Sequence, residues 1–183
     1  NVSDAVIDKH TEVYYLLQEG EAAQAEPLLQ EIIAEAPDFA PAYNHLGVVY
    51  EMLGQTEKAR ALVTETHERF PDYFFSRLAL ARIKISEGDL DAGTHLLGPL
   101  LRQRQFHVSE FRALAQAQIE LALARNHAEG AWHWLEMWQR VEPDAPAIDD
   151  WRMLIDGDVL RHQFKTLSTQ FEYKIPRRKK KKG

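Results

Sequence analysis

The chain has 183 residues, 28 of them acidic and 22 basic, and no cysteine. Disulfides, thiolate-held zinc and a cysteine nucleophile are thereby excluded, and no apolar run reaches the roughly 18 residues that a spanning helix needs. The formal net charge of -6 hides an asymmetry: residues 177–182, RRKKKK, hold six of the basic residues, and the remainder sets 16 basic against 28 acidic, a balance of -12.

The opening, NVSDAVIDKH, carries acidic residues and no apolar core, so it does not read as a signal peptide; the missing initiator Met suggests a segment of a longer protein. Beyond it, recurrences 34 residues apart order the chain. Segment 6–39 carries Leu16, Gly20, Ala25, Leu29 and Pro37, and segment 40–73 has Tyr50, Gly54, Ala59, Val63 and Pro71 at the same offsets. In the second segment Tyr43, Leu46 and Tyr50 recur at i, i+3 and i+7, the period of one helix face. Gly47 lacks a side chain there and should let a second helix approach, with Ala59 as the small residue meeting it. Gly54 ends the first helix and Pro71 the second. In the first segment Val13 stands where that approach would want glycine.

Segment 74–107 repeats the pattern with Leu80, Ala81, Gly88, Gly93 and Leu97, without a closing proline. A fourth match, Asn126, Ala131, Leu135 and Pro143-Asp144, falls in step after a four-residue insertion. A longer turn over 104–109 is therefore expected before a helix over 110–125. Pro27 and Pro99 fall inside second helices, where each should bend the outer wall or cost about 3 kcal/mol. The helix carrying Trp132, Trp134 and Trp138 should bury the last two on one face, against Trp151. Trp132 points elsewhere, either onto the preceding hairpin or outward as an anchor. After Pro146, Asp149 and Asp150 suit a helix start, and Trp151, Leu154, Leu160, Phe164, Leu167 and Phe171 lie near one stripe. We read 147–172 as a capping helix, with Gly157 a point of interruption, and 173–183 as a disordered basic tail.

Segment 40–73, with Tyr43, Leu46-Gly47, Tyr50, Ala59 and Pro71, resembles one tetratricopeptide repeat (TPR). Tyr43 replaces the pattern's Trp and Val63 its Phe, both keeping an apolar body. The resemblance implies an all-α TPR-type α-solenoid of about four helical hairpins plus the C-terminal capping helix, spanning 4–172. It also implies a non-enzymatic scaffold or adaptor that binds a peptide or protein along the first helices. By that resemblance the inner face holds Ile7, His10, Tyr14 and Leu17, then Asn44, Val48 and Glu51. Phe75, Leu78, Arg82 and Ile85 follow, then Gln116 and Glu120. Tyr14, Asn44, Val48, Leu78 and Arg82 are the expected partner contacts. The chaperone-binding clamp pattern is not met: its places hold His10, Tyr14, His45, Phe75 and Ala79, or in the next frame Asn44, Val48, Ala79, Ala113 and Ala117, without the needed cations.

The chain lacks the phosphate-loop, dinucleotide, nucleophile-elbow and H-E-x-x-H signatures. Its eight histidines are scattered, so neither catalytic residues, cofactor nor metal is expected. The alternative reading is a nucleic-acid-associated factor working through the basic tail. A cytoplasmic location is expected, nuclear in a eukaryote, and self-association is left open.

Overall fold

The computed structural model describes residues 2–172, with the side chains of 164 and 166–172 outside the described set. Among the described residues it contains nine helices and no strand: α1 Asp4–Gln18, α2 Ala22–Glu35, α3 Ala40–Met52, α4 Thr56–Arg69, α5 Phe74–Ser86, α6 Leu90–Leu101, α7 Val108–Ala124, α8 Ala128–Val141 and α9 Ala147–Glu172. The fold is all-α, a series of helical hairpins followed by one long helix. Two compact units are distinguished, Asn1–Glu110 and Phe111–Gly183.

Each hairpin turns on the same local chemistry. Gly20, Gly54 and Gly88 have φ of +81°, +71° and +84°, the left-handed region that glycine enters without a Cβ penalty. The next residue then bonds back five positions: Glu21 N–H to Leu16 O at 2.8 Å, Gln55 to Tyr50 at 2.8 Å, and Asp89 to Lys84 at 2.9 Å. At the end of α7 Asn126 takes over at φ +56°, and His127 N–H reaches Ala122 O at 2.8 Å. The inserted residues thus shift the fourth cap by four without changing it. The insertion forms a turn over 102–107, as long as the sequence suggested but placed two residues earlier. His107 N–H donates to the Glu110 carboxylate at 2.9 Å, closing the start of α7.

In the first unit, α1 packs on α2, α2 on α3, α3 on α4, α4 on α5 and α5 on α6. One core joins Val6, Val13, Ala25, Leu29, Ile32, Leu46 and Val49. Val13, at the glycine position of the first hairpin, is a fully buried core residue. The Pro-Asp turn before α3 is locked from both sides. Tyr43 donates its hydroxyl proton to Pro37 O at 2.9 Å and accepts from Arg69 at 3.0 Å, while Arg69 also reaches Asp38 at 3.2 Å. A tyrosine in the place of the pattern's Trp therefore brings a polar tip that ties α3 to α4.

One packing expectation is corrected. A Cβ added at Gly47 would meet only Val63 Cγ2 at 3.8 Å, an ordinary contact, so glycine is not required there. The close approach occurs instead at Gly93, where an added Cβ would lie 2.6 Å from Ile85 Cγ1. Pro27 is exposed and Pro99 half-buried, and α2 and α6 each run on past them.

In the second unit Ala115, Ile119, Ala131, Leu135, Trp138, Ile148 and Ile155 form the core, with Trp132, Trp134 and Trp151 packed against it. Trp138 is fully buried and donates to Glu142 at 2.9 Å. α9 packs on α8 through Ile148 and Ile155, seven residues apart. This corrects the expected stripe: Leu154 and Leu160 are 52% and 54% exposed, and Met153 reaches 68%. Rotating the buried face by one residue leaves them outside. Phe164, Leu167 and Phe171, placed on that stripe, lie outside the described side chains. The helix continues through Gly157. The basic tail, 173–183, lies outside the described residues.

Candidate functional site

The repeat spacing creates two columns of equivalent positions on the first helices. Positions 10, 44 and 78 form one, and positions 14, 48 and 82 the other, each helix carrying its pair at i and i+4. In the first unit a groove of about 410 Å³ opens along these columns, and all five residues expected to contact a partner line it. Tyr14 supplies the α1 wall with Leu17 and Gln18; Asn44, His45 and Val48 come from α3; Phe75, Leu78, Ala79 and Arg82 come from α5.

These side chains differ in what they offer. Tyr14 is 51% exposed and Val48 42%, so both present surface, whereas Leu78 is 4% exposed and forms the floor. Asn44 is half-buried, an amide able to bond a peptide backbone. Arg82 is the charged residue of the lining, and no carboxylate lines the groove, although the chain as a whole is acidic. Apolar walls with a few convergent polar groups are the usual composition of a recognition groove.

Other inner-face residues go elsewhere. Ile85 is buried against Gly93 of α6 and does not reach the groove, because the α5–α6 contact claims it. Ile7 and Glu51 are exposed outside the lining. Gln116 lines a separate cleft of about 610 Å³ in the second unit, with Trp138, Arg112 and Glu142. Arg112 donates to both carboxylate oxygens of Glu142, one at 2.9 Å, and this pairing holds the Glu142 carboxyl below the usual range against the opposing effect of burial.

Sequence reasoning missed what His45 does. Its Nδ1 lies 2.8 Å from His10 Nε2, and the rings stack with centroids 4.7 Å apart. Burial, and next the charge of His10, push the His45 ring down to about 4; burial also lowers His10. The two histidines are 35 residues apart, one more than the repeat, so the period hides them as partners. Among the described residues no three His, Asp or Glu side chains gather to hold a metal ion, and no helix is long and apolar enough to cross a membrane.

The tetratricopeptide repeat family matches residues 16–74. No curated protein matches the chain by sequence. Among solved structures, MamA 41-end from Desulfovibrio magneticus RS-1 is similar at 11% identity and TM-score 0.56, covering 94% of each chain. The ArsTM double mutant of MamA RS-1 matches at 12% identity and TM-score 0.55, covering 94% of this chain and 93% of that one. A tetratricopeptide repeat protein from Parabacteroides merdae matches at 13% identity and TM-score 0.50, over 93% of this chain and 66% of its own.

Proposed function

We propose that this chain, a tetratricopeptide-repeat protein by its matched repeat and its solenoid fold, is a non-enzymatic scaffold that holds a peptide or protein segment in the groove of its first unit. The observation that carries the reading is the convergence of equivalent positions from three successive hairpins on one groove, with Tyr14, Val48 and Phe75 as apolar walls around Asn44 and Arg82. Helix-built grooves of this kind take apolar side chains at intervals along a partner segment, with the polar groups setting its orientation. Tyrosine and arginine are the side chains over-represented where truncation costs most binding energy.

The test is affinity capture with the full chain from cells of its source, followed by mass spectrometry and titration of the captured partner. Tyr14→Ala with Arg82→Ala should weaken that binding at least tenfold and lower the melting temperature little, since Tyr14 is half-exposed. A partner that binds both forms equally would move the site off this groove, to the outer helices or to the turn around Phe106.

A further inference from the structure

Two imidazoles join α1 to α3 beside the groove. His10 stands one helical turn before Tyr14, stacks on His45 with 22° between the planes, and turns its edge to Phe39 at 5.0 Å. His45 lines the groove itself. A nitrogen–nitrogen separation of 2.8 Å is a hydrogen bond, with one ring donating and the other accepting. A neutral pair satisfies this, and so does a pair carrying one charge. With both rings protonated, two N–H groups point at each other and two positive charges meet in a partly desolvated seam.

The surrounding charges do not relieve that repulsion. On α1, Asp8 and Glu12 are exposed, and Lys9 is engaged by Glu31 and Glu35 of α2. Asp38, before α3, pairs with Arg69 of α4. On α3 the nearest acid along the helix is Glu51, exposed and outside the groove lining, and α5 contributes Arg82, a further cation. Neither ring is raised by a carboxylate, and both are lowered by burial.

We propose that His10 and His45 form an acid-opened latch: while the pair carries at most one charge it holds α1 against α3, and double protonation parts them, drawing Tyr14, Leu17 and Gln18 away from the groove. The latch stands on the contact alone; its consequence, a partner held near neutral pH and released in acid, rests on the groove reading above.

The experiment is hydrogen–deuterium exchange on the full chain between pH 7 and 4, corrected for the intrinsic pH dependence of exchange, with imidazole titration by NMR. Exchange across the C-terminal half of α1 should rise at least tenfold in acid relative to α8. His10→Phe, which keeps a ring against Phe39 and His45 but cannot charge, should abolish the rise; if it does not fold, His45→Gln should do the same. The latch is overturned by an equal acid response in these variants, by no response in the native chain, or by both rings titrating near 6.5. An acid response in α1 together with partner binding that ignores Tyr14→Ala and Arg82→Ala keeps the latch and removes the groove reading. The reverse pattern removes the latch alone.

Discussion

Gly47 and Gly93 occupy helix interiors at the two small positions of the hairpin pattern, and one added methyl should affect them in opposite directions. Replacing glycine by alanine inside a helix gains about 0.5–1 kcal/mol, because the unfolded chain loses more freedom to order at glycine. At Gly47 nothing opposes that gain, since the nearest atom to the new Cβ is Val63 Cγ2 at 3.8 Å. Gly47→Ala should therefore raise the melting temperature by about 1–4 °C for a chain of this size. At Gly93 the new Cβ would sit 2.6 Å from Ile85 Cγ1 and 3.4 Å from the Ala81 carbonyl oxygen. Relief requires a separation of about 1 Å toward normal carbon–carbon contact. Ile85 is buried and β-branched, with essentially one χ1 well open to it in a helix, so the shift falls on the α5–α6 interface. Overpacking of that kind costs about 1–3 kcal/mol, which outweighs the gain and leaves Gly93→Ala destabilised by about 1–2 kcal/mol, or roughly 2–8 °C. Far-UV circular dichroism melts and urea titrations of the two variants beside the native chain decide the matter. A Gly93→Ala protein as stable as Gly47→Ala would refute the close approach of α5 and α6.

The His45 ring resists protonation down to about 4 in the folded chain, against 6.5 when exposed. The unfolded chain then binds more protons as pH falls through that window, so stability should drop between pH 6.5 and about 4, by on the order of 3 kcal/mol from this group. His45→Gln should flatten that part of the acid slope in urea titrations at several pH values, and an unchanged slope would count against the burial assigned to the ring. For the tail, six cations in a row should bind duplex nucleic acid only at low salt, because released counterions drive such binding. Fluorescence anisotropy should show it vanish near physiological ionic strength and on deletion of 177–183; tight binding that survives the deletion would put the nucleic-acid reading first.

The sequence by itself determined the features that depend on a residue and its near neighbours. Gly20, Gly54 and Gly88 could be placed as helix ends because a left-handed cap is a property of one residue's backbone, and Asn126 could be placed once the four-residue insertion was recognised. The columns through Asn44 and Leu78, and through Tyr14, Val48 and Arg82, were legible because equal offsets in equal repeats face the same way. Only the tertiary structure decided which neighbours meet across helices. A turn of one residue about the axis of α9 buries Ile155 and leaves Leu154 outside, and the sequence stripe is too broad to distinguish them. Likewise Gly47 and Gly93 look alike along the chain, yet the gap between paired helices is set by the side chains of the facing helix, Val63 in one case and Ile85 in the other. His10 and His45 are joined by neither period nor motif; they meet because α1 and α3 lie side by side at a depth where water no longer separates two imidazoles.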